Sequence, residues 1–306
     1  MQQLLSTKEV AKLLGVNEKM IYSLITEKGL PATKITGKWL FPGHLVEQWV
    51  ESRTINYPKA PETPSKSPGL LIIAGSNDLL LERSMQLYMR QRPDSLAAFG
   101  NLGSMGGLKA LRQGLCHMAS SHLLQEGDEG EEYNFSYAEA EFNRPPAVVN
   151  FCRRMQGLIL APGNPKGVEG FGDLAKPGVR IVNRQSGTGT RVLLDHELAK
   201  AEVDPARVQG YDNEAATHMA LGMQVLSGKA DVGLGIQAAA ELLGLDFIPV
   251  KWERFDLLVT KEHFFNQDIQ AFLSLLQEAP FQELAAGLEG YDVNMSGKIV
   301  FPREDA

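Results

Sequence analysis

The sequence predicts an α/β protein built from two parts of unequal size. A proline-rich stretch at 53–68 separates the parts, two capped amphipathic helices and a hairpin occupy the first, and strands alternate with helices throughout the second. Alternating strands and helices are typical of parallel sheets covered by helices. About 235 residues of this pattern fit two lobes better than one.

The composition is that of a soluble globular protein. The chain has 306 residues, of which 43% are hydrophobic and 22% charged, and its mean hydropathy is −0.16. No stretch approaches the roughly 18 consecutive apolar residues that span a bilayer. The N-terminus lacks the basic-then-apolar pattern of a signal peptide. We therefore expect a cytoplasmic protein with no membrane partner.

The net charge of −7 is unevenly distributed. Residues 1–58 carry seven basic and five acidic side chains, a net charge of +2 that leaves −9 for the rest. A mildly basic head on an acidic body is compatible with DNA binding by the head alone.

Motifs of catalysis and metal binding are missing from the sequence. The two cysteines, Cys116 and Cys152, stand in apolar surroundings and are expected to be buried free thiols. The six histidines form no metal-binding pair, and there is no Gly-x-Ser-x-Gly elbow or phosphate-binding loop. We expect no catalytic residue, no metal and no required cofactor.

The first 50 residues predict two helices, a hairpin and a third helix. Ser6 and Glu9 form a capping box before the first helix, Gly15 ends it, and Asn17 caps the second helix. The segment ATKITGKWLF (32–41) predicts a hairpin with Gly37 at its tip, and Pro42 is expected to start the third helix.

This arrangement describes a winged helix-turn-helix, whose second helix can lie in the major groove of DNA while the wing reaches the phosphates. The predicted DNA-binding residues lie on the polar face of the second helix and on the hairpin: Asn17, Glu18, Lys19, Tyr22, Ser23, Lys34, Thr36 and Lys38. Trp39, Phe41 and Trp49 are expected to be core residues.

The head resembles the excisionase and MerR-like helix-turn-helix family. The resemblance is carried by LSTKEVA (5–11), LGV (14–16), Tyr22, GLP (29–31), Trp39 and Phe41. It implies binding to a double-stranded operator. Because the second helix carries Lys19 without an arginine, a homodimer is expected to sum contacts from two half-sites. The alternative is a three-helix protein-interaction domain.

The body predicts a regular succession of elements. Strands are expected at LLIIAG, SLAAFG, LCHMASS, VVNFCRR, GLILAPG, VRIVNR, ADVGLGI and FIPVKWERFDLLVT. Helices are expected at SNDLLLERSMQLYMR, from Ser104 through Leu111, after SGTGTR, and near the C-terminus. The Glu-rich run 126–132 is expected to be a solvated loop.

Small and hydroxyl residues follow several of these strands or open the next helix. They are Ser76, Asn77, Ser104, Ser121, His122, Ser186, Gly187, Thr188, Gly189 and Thr190. Helix N-termini carry a partial positive charge and unpaired N–H donors, so two or more that converge on one cleft form an anion site. Each serine alone is more often a helix cap.

The segments NRQSGTGTRVLLD, GLILAPGNPKG, SGKADVGLG and GYDVNMSGKIV are similar to cytoplasmic relatives of type II periplasmic binding proteins, whose cousins bind molybdate or tungstate. The resemblance implies two Rossmann-like lobes joined by crossing strands near 148–160 and 248–258. It implies a head at 1–53, a linker at 54–68 and a ligand-binding body at 69–306, with lobe 1 at about 69–150 and 255–306 and lobe 2 at about 160–250.

Carried over by position, the ligand contacts are Ser76, Asn77, Ser121 and His122 from lobe 1. Lobe 2 contributes Ser186, Thr188, Gly189, Thr190 and Arg191, with Glu214 and Asp231 as weaker candidates. Asp231 is expected to hold a turn.

These observations predict a DNA-binding transcription regulator that senses a small anion between its lobes, with molybdate or tungstate as the first candidate. A fully deprotonated oxyanion suits neutral donors alone, whereas an arginine or histidine in the cleft would suit a carboxylate. The alternatives are a regulator of the same design that senses a small organic acid or another metabolite, and a cytoplasmic accessory protein for oxyanion binding or cofactor biosynthesis whose head binds protein.

Overall fold

The computed structural model describes residues 4–35, 37–51, 53–54, 69–127 and 130–301. The chain divides into two compact units, Met1–Lys66 and Ser67–Ala306. Most of the predicted linker, 55–68, lies outside the described residues, as do 302–306. No helix among the described residues is both long enough and apolar enough to cross a membrane.

The first unit contains three helices and a three-stranded antiparallel sheet. Its elements are β1 (Leu4–Ser6), α1 (Thr7–Leu14), α2 (Glu18–Lys28), β2 (Thr33–Ile35), β3 (Lys38–Pro42) and α3 (Gly43–Glu51). The strand order is β1-β3-β2. Strand β1 was not predicted. Pro42 ends β3 rather than starting the third helix, which begins one residue later.

Local capping explains the helix boundaries of this unit. The Ser6 hydroxyl accepts a hydrogen bond from the Glu9 N–H while the Glu9 carboxylate accepts one from the Ser6 N–H, which confirms the capping box. Gly15 and Gly29 end α1 and α2 in the left-handed conformation that glycine adopts without strain. The buried core includes Val10, Ile21, Leu30, Phe41 and Val46.

The second unit is built on one ten-stranded sheet. Its strands are β4 (Leu70–Gly75), β5 (Leu96–Asn101), β6 (Met118–Ser121), β9 (Ala147–Leu160), β10 (Ile181–Arg184), β11 (Glu214–Ala215), β12 (Val232–Ile236), β13 (Asp246–Val259), β14 (Tyr291–Asp292) and β15 (Ile299–Phe301). A separate hairpin is formed by β7 (Leu124–Gly127) and β8 (Gly130–Tyr133).

The described residues of this unit form eight α-helices. They are α4 (Leu79–Gln91), α5 (Gly103–Arg112), α6 (Phe135–Glu141), α7 (Gly189–Lys200), α8 (His218–Leu226), α9 (Gln237–Leu243), α10 (Gln267–Leu275) and α11 (Ala279–Ala286). Short 3-10 turns occupy Phe171–Ala175 and Pro205–Arg207.

Two long antiparallel strands join two groups of parallel strands. The sheet order is β11-β10-β12-β9-β13-β6-β4-β5, with β14 and β15 also paired to β9. Strands β9 and β13, of 14 residues each, pair with one another along nearly their whole length. We call the part around β4, β5 and β6 lobe 1 and the part around β10, β11 and β12 lobe 2.

Each lobe has its own hydrophobic core. Leu71, Ile73 and Phe255 belong to a core of lobe 1, and Val182, Leu221 and Ile236 to one of lobe 2. Cys116 and Cys152 are buried free thiols, as predicted.

Three predicted elements differ from the structure. The segments VVNFCRR and GLILAPG were predicted as two strands but form the single strand β9, because the polar residues between them also lie in the sheet. The Glu-rich run 126–132 was predicted to be a loop, yet the described residues of this run pair in the β7–β8 hairpin, with Glu126 opposite Glu131. The C-terminal helical stretch is two helices followed by two short strands.

Candidate functional site

Polar residues of lobe 1 gather where its parallel strands end. Ser76 follows β4, His122 follows β6, and Ser104 lies in the first turn of α5. All three are buried, with 0%, 1% and 0% of their surface exposed. The carboxyl ends of parallel strands meet at one edge of a sheet, which brings these loops together. The Ser104 hydroxyl accepts a hydrogen bond from the His122 N–H at 3.2 Å.

A buried chain of hydrogen bonds runs from Ser76 through His122 to Glu253 of β13. The Ser76 hydroxyl lies 2.8 Å from Nε2 of His122, and Nδ1 of that ring lies 2.9 Å from Oε2 of Glu253. Burial opposes ionisation of Glu253, but the hydrogen bond from His122, the charge of Arg154 and the hydrogen bond from Gln156 outweigh it and lower the Glu253 pKa to about 2. Burial also lowers the pKa of His122 and outweighs the attraction of Glu253, so the ring is neutral.

Arg154 of β9 lies between two carboxylates. Its Nε donates to Glu253 at 2.6 Å and one terminal nitrogen donates to Asp78 at 2.7 Å. Burial opposes the charge of Arg154, but Glu253 and Asp78 outweigh it and raise the Arg154 pKa. The Tyr291 hydroxyl donates to Asp78 as well. The other terminal nitrogen of Arg154, Nη2, is buried and has no hydrogen-bond partner among the described residues.

Gln156 links this cluster to lobe 2. Its amide nitrogen donates to Glu253 at 2.7 Å and to the Thr190 hydroxyl at 2.9 Å. Since a carboxylate only accepts hydrogen bonds, Glu253 fixes the orientation of the amide. The carbonyl oxygen of Gln156 then faces away from Glu253, and it is buried with no partner in the described part of the chain.

Lobe 2 contributes two buried cationic or basic side chains. Arg184 ends β10 and His218 is the first residue of α8, and each is 1% exposed. Arg184 donates to the carbonyl of Ala215 at 2.7 Å, but its Nε has no partner and no carboxylate pairs with it within the described residues. Burial, and next the charge of Arg154, lower the Arg184 pKa to about 10. The group is therefore still a cation at neutral pH.

His218 makes no hydrogen bond with either ring nitrogen, as far as the structure describes the chain. Burial, then Arg184, Arg154 and His122, hold its pKa well below the ordinary value. Besides burial, Arg154 and Arg184 lower the pKa of His122, and Arg154 lowers the pKa of Arg184, so charged groups of the two lobes are close enough to act on one another. We call Ser76, Ser104, His122, Arg154, Gln156, Arg184, Thr190, His218 and Glu253 the interlobe cluster.

The two lobes touch beside this cluster. A Cβ atom added to Gly189 would lie 2.5 Å from both Nδ1 and the carbonyl oxygen of His122. One added to Gly103 would lie 3.2 Å from the methyl group of Thr188. The Asn101 amide donates to the Ala216 carbonyl at 2.9 Å. Glycine at position 189 therefore permits the approach of α7 to lobe 1.

Six of the sequence-predicted ligand residues come together at this interface: Ser76, Ser104, His122, Thr188, Gly189 and Thr190. The Thr188 hydroxyl serves as the N-cap of α7, accepting from the Arg191 N–H and donating to the Gln185 carbonyl. At the interface between the lobes, Thr188 therefore presents its methyl group to Gly103.

The remaining predicted ligand side chains have other partners. Ser121 donates to Asn134 because alternate residues of β6 face opposite sides of the sheet. The Asn77 amide donates to Glu82 in α4. Ser186 and Gly187 are exposed, and the Ser186 N–H donates to Glu214. Asp231 accepts from the N–H of Arg180, 51 residues away, and so joins the two segments that lead into the neighbouring strands β10 and β12.

Arg191 does not point toward the interlobe cluster. Its guanidinium pairs with Asp195 at 3.2 Å and Glu214 at 3.4 Å, and stacks 4.2 Å from the centre of the Tyr211 ring. These partners lie on lobe 2 itself: Asp195 is one turn along α7, Tyr211 precedes β11, and Glu214 is the first residue of β11. Arg191 therefore belongs to a lobe 2 surface network, and its predicted ligand role is not supported by its contacts.

Sequence reasoning missed Arg154, Gln156, Arg184, His218 and Glu253. Arg154 and Gln156 interrupt an apolar run, VVNFCRRMQGLIL, and Arg184 ends another, VRIVNR. A charged or amide side chain inside a strand that is buried on both faces requires a partner or a ligand. The polar residues within these apolar strands were therefore a sequence signal that could have identified the site.

The polar face of α2 is accessible in the first unit. Glu18, Lys19 and Tyr22 are exposed, Ser23 is half-buried, and Asn17 uses its side chain to cap α2. On the wing, Lys38 is exposed and the Lys34 ammonium lies 5.6 Å from the centre of the Trp39 ring. Thr36 lies outside the described residues. Phe41 is fully buried, and Trp39 and Trp49 pack against the core.

Two family models match the chain. Residues 4–54 match a helix-turn-helix domain, and residues 85–277 match the PBP superfamily domain, which covers more than half of the chain. The chain belongs to the PBP superfamily. Both predicted resemblances and the predicted fold class are confirmed.

Two relatives of this PBP-superfamily protein are found among curated sequences. It is 31% identical over 304 residues to the uncharacterized protein YvgK of Bacillus subtilis (strain 168), with 96% of each chain covered, so the two belong to one family. A Clostridium pasteurianum protein, described as lying in the ferredoxin 2Fe-2S gene 5′ region, is 31% identical over 110 residues, which is 36% of this chain and 97% of that protein.

Solved structures of the PBP superfamily share the fold of the body. A putative phosphate ABC transporter substrate-binding protein from Clostridium perfringens, with bound phosphate, has a TM-score of 0.53 at 13% identity, covering 71% of this chain and 97% of its own. The tungstate ABC transporter from Geobacter sulfurreducens has a TM-score of 0.50 at 11% identity, and the match covers 71% of this chain and 98% of that one. The regulatory domain of MetR, a LysR family regulator from N. meningitidis, has a TM-score of 0.50 at 12% identity. The match covers 73% of this chain and 99% of that domain.

The PBP-superfamily body is thus fused to a DNA-binding helix-turn-helix head. This fusion supports a ligand-responsive regulator. Both matched domains are of binding types, one for DNA and one for solutes.

Proposed function

We propose that this protein is a cytoplasmic transcription regulator that binds a small anion between its lobes and responds by changing its affinity for a DNA operator. The observation that carries the proposal is the interlobe cluster: buried hydroxyl, amide and cationic groups from both lobes meet where PBP folds have their cleft, in a chain with a helix-turn-helix head. No cofactor beyond the bound anion is needed for this role.

The nature of the donors supports an anion. Ser104 lies in the first turn of α5, and Gly189 and Thr190 open α7, so two helix N-termini face the interface. The partial positive charge of a helix N-terminus favours anions, and here it is added to that of two buried arginines.

Molybdate and tungstate are our first candidate ligands, because they are small tetrahedral oxyanions that hydroxyl and N–H donors can surround. The tungstate transporter that shares the fold supplies the reason to test them first. A small organic acid is the second candidate. The specific observation in its favour is the presence of Arg154 and Arg184, since guanidinium groups suit carboxylates.

Anion binding can alter DNA binding only by as much as the anion's affinity differs between two states of the body. We propose that the anion favours the state in which the lobes touch at Gly189 and His122. In a homodimer, this state would set the spacing of the two helix-turn-helix heads on their half-sites.

Thermal unfolding of the full-length protein with molybdate, tungstate, sulfate, phosphate, lactate and succinate tests the proposal. An anion present at about 100 times its Kd stabilises the native state by about 2.7 kcal/mol, which raises the Tm of a body this size by about 5–10 °C. Operator binding is then measured with and without the anion that gives the shift. No shift with any of the six anions, or operator binding that ignores the active anion, would contradict the proposal.

A further inference from the structure

Arg184 and His218 stand out in the interlobe cluster because each keeps one or more buried nitrogen atoms that have no hydrogen-bond partner among the described residues. Arg184 keeps a buried Nε without a partner and has no carboxylate beside it among the described residues. His218 keeps both ring nitrogens without a partner, although it is 1% exposed. Buried polar groups in native proteins are nearly always satisfied, so each such group requires an explanation.

The other charged residues of the interlobe cluster do not explain why Arg184 and His218 lack partners. Arg154 is compensated by Asp78 and Glu253, and Glu253 is shared further with His122 and Gln156. Neither carboxylate pairs with Arg184, so its positive charge has no carboxylate in contact with it among the described residues. A buried charge without a counterion is costly, and its cost is removed when an anion binds.

His218 is placed to act with Arg184. It begins α8, directly after the N-cap Thr217, while the Arg184 side chain donates to the carbonyl of Ala215 three residues earlier. The two side chains thus come from neighbouring parts of lobe 2, and the charge of Arg184 acts on the His218 ring. A neutral imidazole offers one N–H donor and one acceptor, and the guanidinium offers further donors.

We propose that Arg184 and His218 form the charge-recognising subsite for the ligand, and that they contact an anionic oxygen group directly. This inference rests on the proposed function and assigns to lobe 2 the residues that read the negative charge. The anionic oxygens can belong to a tetrahedral oxyanion or to a carboxylate, and the probes distinguish these two sources.

The test compares Arg184→Met, His218→Gln and the surface control Arg207→Gln. Arg207 is exposed on the same lobe, so its substitution removes the same charge without touching the cluster. For each full-length protein, the Tm is measured without anion and with molybdate or tungstate in one arm and lactate or succinate in the other.

The expected pattern separates a binding residue from a structural one. Without anion, Arg184→Met is expected to keep or raise the Tm, because it removes a buried charge that has no counterion. With the anion that stabilises the wild type, both cluster variants are expected to bind about 10- to 100-fold more weakly, the loss typical of a hydrogen bond to a charged group. Arg207→Gln should match the wild type. If the cluster variants lose the shift with molybdate or tungstate, the anionic group belongs to a tetrahedral oxyanion. If they lose the shift with lactate or succinate, it belongs to a carboxylate.

Other outcomes overturn the inference. If the wild type responds to an anion and both cluster variants respond equally, the subsite is wrong while the proposed function stands. If Arg184→Met is less stable than the wild type without anion and keeps the wild-type anion shift, Arg184 is a structural residue. If the wild type responds to none of the anions, the proposed function fails and the subsite fails with it.

Discussion

The hydroxyl of Ser76 lies 2.8 Å from Nε2 of His122 and has that nitrogen as its partner. The other ring nitrogen lies 2.9 Å from the ionised carboxylate of Glu253, so the proton of the neutral ring resides on Nδ1. Nε2 then accepts, and Ser76 donates its only hydroxyl proton to it. While His122 is neutral, Ser76 has no proton to give to an anion, and Arg184, His218 and Arg154 are the better donors.

Substitution of Ser76 is therefore expected to change stability more than anion affinity. Ser76→Ala leaves Nε2 of a buried histidine without its donor, which costs about 1–3 kcal/mol of unfolding free energy. Anion affinity should change less than in Arg184→Met. Chemical denaturation and anion titration of the same protein measure the two effects, with the exposed Ser186→Ala as the control that changes neither. A stable Ser76→Ala protein that binds no anion would contradict this view of the Ser76 hydroxyl.

The sequence predicted the parts of the site that depend on local pattern. A serine after a buried strand and a Gly-Thr pair at a helix start are visible within a few residues, and parallel strands bring such loops to one edge. Ser76, Ser104, Gly189 and Thr190 were found in this way. The capped helices of the head were predicted on the same basis.

The residues that were missed depend on partners far away in the chain. Glu253 is 99 residues from Arg154 and 131 from His122, and the pairing of β13 with β9 and with β6 places them together. Arg191, by contrast, was predicted from a motif, and the local partners Asp195 and Tyr211 determine where it points. Tertiary packing determines the direction in which a side chain points, and a single sequence does not reveal that packing.

Gly189 is expected to be required for the contact between the lobes. In Gly189→Ala the new methyl group meets His122, whose ring is held by Ser76 and Glu253 and has little room to move. Such overpacking costs about 1–3 kcal/mol, and holding the lobes apart should also reduce the anion-induced rise in Tm. Differential scanning calorimetry with and without anion measures both. Gly170→Ala, where a Cβ meets nothing within 4 Å, is the control. An unchanged anion response in Gly189→Ala would show that lobe contact is not part of binding.

Acid is expected to destabilise the anion-free protein through its buried histidines. Burial, aided by Arg184, Arg154 and His122, lowers the pKa of His218 in the folded state, whereas the unfolded chain takes up a proton near pH 6.5. The unfolded state therefore binds more protons below that pH, and stability falls as the pH falls. The slope is at most about 1.4 kcal/mol per pH unit for each such histidine.

Urea denaturation between pH 7.5 and 5 measures this dependence. In His218→Gln the slope below pH 6.5 should be smaller than in the wild type by up to about 1.4 kcal/mol per pH unit. Met223→Gln, at an exposed position of the same helix α8, serves as the control and should keep the wild-type slope. Equal slopes in the wild type and in His218→Gln would mean that His218 takes up a proton in the folded state as readily as in the unfolded one.

DNA binding by the head is expected to depend on Lys19 and Lys38. Both are exposed, Lys19 on the face of α2 that we assign to the major groove and Lys38 at the start of β3 in the wing. Each phosphate contact that is lost should reduce the slope of log affinity against log salt concentration by about 0.9. We expect Lys19→Ala and Lys38→Ala to weaken binding to an operator selected from random duplex DNA by the full-length protein. Lys109→Ala removes an exposed charge from the body and should leave the slope unchanged. If all three variants show the wild-type slope, the head does not contact DNA through these two residues, and the protein-interaction alternative for the head becomes the better account.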